Sequence, residues 1–191
     1  FSGQSGTKLT ADWFELKNVG DAPWVYGVDS TLYYDDESMS AGDADSIAGI
    51  SGIAPGEFAI VILGDAADVA QFKSVWGDVT DLNDLEIGYS DGAGLGSGGD
   101  LVTLWMGNPA NTPHDTASYP DTELFDGKSF DVELELFSEI DNENLAIATI
   151  AMGGDGSDVP NIASPGDRGI LQIDPNAPTI MADLTAGTLL K

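Results

Sequence analysis

The chain has 191 residues, with 33 acidic side chains against 6 basic ones, a formal net charge of -27, one histidine and no cysteine. So few cations cannot neutralise a phosphate backbone or seek an anionic membrane, which excludes nucleic-acid binding and membrane-surface attraction. The missing cysteine excludes disulfides, thiolate zinc sites, iron–sulfur clusters and cysteine nucleophiles, and a lone His114 excludes a His-rich metal centre.

In chain order, residues 12–17 alternate apolar and polar and read as a half-buried strand. Further strand signals lie at 24–26 and 31–34, followed by a solvated loop from Asp35 to Asp45. The six-residue apolar run 58–63 predicts a central strand buried on both faces. One helix is expected, capped by Asp65, carrying Val69, Phe72 and Trp76 inward and ending at Gly77. After it come a strand at 85–89, a Gly-rich loop from Asp91 to Asp100, and a buried strand at 101–106. Residues 131–136 alternate strictly and read as one strand with a wet face. Residues 146–152 form a further apolar segment, 153–167 a loop, and 170–173 a last strand. Short strands with frequent turn signals predict a single all-β sandwich with one short helix over residues 1–173. Residues 174–191 read as a tail or linker, with Thr179, Ile180, Met181, Leu189 and Leu190 as potential strand-donor residues.

No apolar run is long enough to span a bilayer, so no membrane insertion is expected. The chain opens on Phe1 without a leader, which reads as a mature product or a piece of something longer. An Asp-rich, cysteine-free composition suits a protein exported by a bacterium to the cell surface or the extracellular medium.

Several segments, in order, resemble one family. Asp12-Trp13-Phe14-Glu15-Leu16-Lys17-Asn18 with Gly20 resembles the D-W-x-E-L-x-N-x-G opening of lamin-tail domains. Ile53-Ala54-Pro55-Gly56-Glu57 resembles that family's Pro-Gly turn, and Gly98-Gly99-Asp100-Leu101-Val102-Thr103-Leu104 its G-D strand. Asp115 with Tyr119, Gly127-Lys128-Ser129 and Ser164-Pro165-Gly166 resemble its later signatures. The resemblance covers about residues 10–166 and implies an immunoglobulin-like sandwich of the secreted bacterial type. The family's opening strand precedes the region matched here. That leaves two readings: a shortened chain, or an edge beside Asp12–Asn18 that a strand from another subunit completes.

Candidate chemistry is sparse. His114 beside Asp115 lies in a turn signal with no G-x-S-x-G elbow, and reads as an exposed loop histidine. Glu15 reads as a structural carboxylate on the Trp13 side of its strand. The Gly92–Gly96 run lacks the helix a dinucleotide loop needs. The aromatic residues read as core rather than as a carbohydrate platform. Calcium is the best chemical candidate, because Asp-rich loops supply hard oxygen ligands. Its candidate ligands are Asp35, Asp36, Asp43, Asp45, Asp141, Asp155 and Asp158, with Asp81/Asp84 a further acidic pair. The expected function is a non-enzymatic extracellular module for protein interaction or self-assembly, with protein partners that include further copies of itself. The alternatives are an accessory domain of a larger secreted hydrolase (phosphatase, nuclease or esterase) and a calcium-dependent surface binder.

Overall fold

A computed structural model describes residues 11–28, 30–36, 38–77, 81–125, 127–132, 135–138, 149–151, 161–163, 171–173 and 175. The strands are Trp13–Asn18 (β1), Trp24–Val25 (β2), Leu32–Asp35 (β3), Asp45–Ser46 (β4), Gly52–Ile53 (β5), Phe58–Leu63 (β6), Glu86–Ser90 (β7), Asp100–Met106 (β8) and Asp115–Tyr119 (β9). Phe130–Asp131 (β10), Leu136–Phe137 (β11), Thr149–Ala151 (β12), Asn161–Ala163 (β13) and Leu171–Ile173 (β14) follow, and the helix α1 spans Ala66–Trp76. Two four-stranded sheets carry the architecture, ordered β14-β1-β6-β7 and β4-β3-β8-β9. The fold is an all-β sandwich with one short helix.

Alternation explains how the layers meet. In β6, Ala59, Val61 and Leu63 face the second sheet, while Ile60 and Ile62 face the helix. β1 divides the same way: Phe14 and Leu16 join the inter-sheet core, and Trp13 joins the helix side. The inter-sheet core is completed by Leu32, Tyr34, Val102, Leu104 and Ala117 of the second sheet. On the opposite face Phe72 and Trp76 of α1 meet Trp13 edge-on, at centroid distances of 5.5 and 6.2 Å. Burying such aromatic side chains contributes on the order of 2–3 kcal/mol each. The result is three layers, with the first sheet covered on both faces.

α1 begins and ends where its sequence dictates. Asp65 accepts hydrogen bonds from Ala67 N at 2.6 Å and Asp68 N at 3.3 Å, and its own N–H donates to Asp68 Oδ2 at 2.8 Å. This reciprocal capping box satisfies N–H groups left without intrahelical partners. The helix also has a topological role. It connects β6 to β7, and these two strands pair in parallel from Ala59↔Glu86 to Leu63↔Ser90. A parallel pair needs a crossover, and α1 supplies it.

Three expectations need correction. Residues 131–136 are not one strand: the chain reverses within the run, and Asp131 pairs antiparallel with Leu136. Alternation alone cannot distinguish a strand from a hairpin whose two ends share one face. Asn161–Ala163, expected in a loop, forms β13 against β12. Along the C-terminal half of β1 the edge is filled by the chain itself, since β14 pairs in parallel at Leu16↔Leu171, Lys17↔Gln172 and Asn18↔Ile173. The expected tail 174–191, apart from Pro175, lies outside the described residues. No helix among the described residues is long and apolar enough to cross a membrane.

Candidate functional site

The termini of several strands meet at one end of the sandwich. Asp12 precedes β1, and its carbonyl accepts the N–H of Leu63 at the end of β6 (2.8 Å). Gly64 N donates to the carbonyl of Ser90, where β7 ends, at 2.8 Å. The Gly-rich stretch 91–99 then crosses to Asp100, the first residue of β8.

Carboxylates hold this stretch in place. Asp12 Oδ2 accepts from Leu95 N at 3.0 Å, and Asp100 Oδ2 accepts from Gly96 N at 2.8 Å. The carbonyl of Gly96 takes the Tyr119 hydroxyl proton at 2.9 Å, and that of Ser97 takes the Thr122 hydroxyl at 3.0 Å. Gly92 packs against β3 and β4. A Cβ there would lie 2.6 Å from Asp45 Oδ2 and 3.1 Å from Tyr34 Cε1, so a larger residue would push the Asp45 side chain aside.

Two further aspartates come from the end of β3. Asp35 is only 4% exposed. Its Oδ2 accepts from Ser38 Oγ at 2.7 Å and Ser40 N at 2.8 Å, which folds the following loop back onto the strand. Half-buried Asp36 accepts from Ser38 N at 3.4 Å. Among the described residues, the hydrogen bonds that Asp35, Asp36 and Asp100 accept come from neutral N–H or O–H groups.

Tyr34 sits among these groups. It is 1% exposed, its ring packs on Phe14 at 5.3 Å, and its hydroxyl has no hydrogen-bond partner. Burial, together with the charges of Asp36, Asp35, Asp100 and Asp12, pushes the phenol pKa well above its ordinary value. The phenol therefore keeps its proton at any physiological pH. The Ser90 hydroxyl at the end of β7 is likewise buried without a partner.

Of the predicted calcium ligands, the structure brings Asp35, Asp36 and Asp45 to this end. Asp43 is exposed in the turn that follows Ser40, and its N–H donates to the Ser40 carbonyl at 3.0 Å. Asp141, Asp155 and Asp158 lie outside the described residues. Asp81 accepts from Asn83 N at 3.0 Å, and both Asp81 and Asp84 are exposed. Among the described residues no three His, Cys, Asp or Glu side chains converge closely enough to hold a metal ion. The sequence reading missed Asp12, Asp100 and Tyr34 as members of this group. They are far apart in sequence, and only the meeting of β1, β3 and β8 joins them.

The other candidates fall into structural places. Glu15 is buried on the same face of β1 as Trp13. His114 is half-buried rather than exposed, with its N–H bonded to the Leu104 carbonyl at 2.7 Å at the entrance to β9. Trp13, Trp24, Trp76 and Trp105 are buried, so they form core rather than a sugar platform. The Gly92–Gly96 run leads into a strand, not a helix.

The opposite end is different in character. Asn18 ties it together: its Nδ2 donates to the carbonyls of Ile53 (2.7 Å) and Ala22 (2.9 Å), and its Oδ1 accepts from Gly20 N (2.9 Å). Next to this clamp, β2 pairs with β5 at Trp24↔Ile53 and Val25↔Gly52. The turn after β2 leaves Tyr26 56% and Val28 79% exposed, and Val19 and Val25 are also exposed. Comparison with family models, curated proteins and solved structures finds no match.

Proposed function

We propose that this chain is a non-enzymatic extracellular β-sandwich module that works by binding proteins, including further copies of itself. The observation that carries the reading is the exposed apolar turn after β2. Tyr26 and Val28 stand in water beside Val25, whereas most other large apolar residues among those described are buried, with Met39, Leu124 and Leu136 exposed elsewhere. Apolar side chains grouped on a rigid, highly charged domain mark an interaction surface. The clamp made by Asn18 holds the turn's framework in place, so a partner meets a preformed surface. The ordered lamin-tail-like motifs favour the same class of role.

The self-association arm has a specific form. With β14 already beside Leu16–Asn18, a second copy docks at the β2 turn rather than along the C-terminal half of β1. Hydrogen exchange at low and high protein concentration in high salt tests this. Protection that grows with concentration at residues 24–28, and not along β9, is the expected result. Uniform exchange at both concentrations would refute the self-association arm. Turnover of phosphate-ester, carboxyl-ester or nucleic-acid substrates by the purified chain would refute the non-enzymatic reading.

A further inference from the structure

We propose that the acidic end of the sandwich takes up a divalent cation that keeps most of its water, held between the β3–β4 loop and the Gly-rich stretch 91–99. The anchoring groups are Asp12, Asp35, Asp36, Asp45 and Asp100, with the Tyr34 hydroxyl beneath them.

Three observations carry it. First, Asp35 and Asp100 are 4% and 9% exposed, and among the described residues the hydrogen bonds they accept come from neutral donors. Withdrawing carboxylates from water without a countercharge is costly, and a cation offsets that cost. Second, the Tyr34 hydroxyl is buried without a hydrogen-bond partner and feels the charges of Asp36, Asp35, Asp100 and Asp12. Buried hydroxyls are normally hydrogen-bonded, so this one calls for a partner. Its oxygen can accept a hydrogen bond from a metal-bound water. Third, the Asp45 carboxylate and the outer edge of the Tyr34 ring meet at Gly92, which brings β4 and the Gly-rich stretch to the same place.

The geometry also says which form the ion takes. No three carboxylates among the described residues close into a cage for a bare ion. One or two direct carboxylates, with water completing the shell, is a usual arrangement for magnesium, and calcium too accepts water ligands. The shared chemistry is a hydrated hard dication.

Thermal melting of the full chain tests this, after chelation and then with calcium, magnesium, or sodium chloride of matched ionic strength. The expected result is a saturable rise in melting temperature with either dication, half-complete at about 10⁻⁴–10⁻³ M. Sodium chloride should give a smaller rise without saturation. Asp45→Asn should abolish most of the dication-specific rise, and Tyr34→Phe should shift half-saturation to higher concentration. Asp84→Asn, an exposed carboxylate away from this end, should leave the response unchanged. An equal rise with sodium chloride would overturn the proposal, as would an equal loss in Asp84→Asn and Asp45→Asn. A Tyr34→Phe response identical to wild type would remove the hydroxyl from the site.

Discussion

Tyr34 and Asn18 show how single residues set the character of the two ends. The Tyr34 hydroxyl is buried without a partner. Such a group costs about 1–3 kcal/mol, and its removal returns part of that cost. Tyr34→Phe should therefore be as stable as wild type or up to about 1 kcal/mol more stable at neutral pH without dications, as read by urea unfolding. The pH dependence follows from the direction of the phenol's shift. A folded-state pKa raised above the unfolded one keeps its stabilising effect below the unfolded value of about 10, and the effect fades as pH rises past it. Wild type should thus lose stability above pH about 10, and Tyr34→Phe should lose less. Identical alkaline profiles would contradict the assignment. Asn18 has the opposite role, since three hydrogen bonds meet on its amide. Asn18→Ala leaves the Ile53 carbonyl without that donor and should cost about 2–3 kcal/mol by the same measurement.

The capping box gives a local test among the elements. Asp65→Ala removes the acceptor for Ala67 and Asp68 N–H and should cost about 1 kcal/mol in chemical unfolding. A negligible change would mean that tertiary packing of Phe72 and Trp76 alone holds the helix. The elements also show what could be read from the residues. The run 58–63, the helix with its cap, and β1 as a strand were legible, because each is a local pattern of period 2 or 3.6, whereas burial of both faces of β1 comes from the helix and second sheet that cover it. The β10–β11 hairpin was not, because both arms are two residues long and alternation passes through the turn. β14 beside β1 was invisible because its partner lies more than 150 residues earlier. The site was half legible. Asp35, Asp36 and Asp45 cluster in sequence, whereas Asp12, Asp100 and Tyr34 join them only through topology.

For the molecule as a whole, the charge of -27 now has a distribution. One end carries aspartates whose charges act on a buried phenol. About 20 Å away along β1, the other end exposes Tyr26 and Val28. Self-repulsion acts on folding and on association alike, and salt screens both. Melting temperature should therefore climb steadily from low to molar sodium chloride. A flat response would mean that solvent already screens the carboxylates fully at low salt. The most direct test of the binding-module reading is sedimentation velocity over a concentration series in high salt, comparing wild type with the Tyr26→Ser/Val28→Ser double variant. Wild type should show a concentration-dependent rise in sedimentation coefficient that the double variant lacks while melting at the same temperature. A wild type that stays strictly monomeric at every concentration, or a double variant that associates equally well, would contradict self-association through the β2 turn.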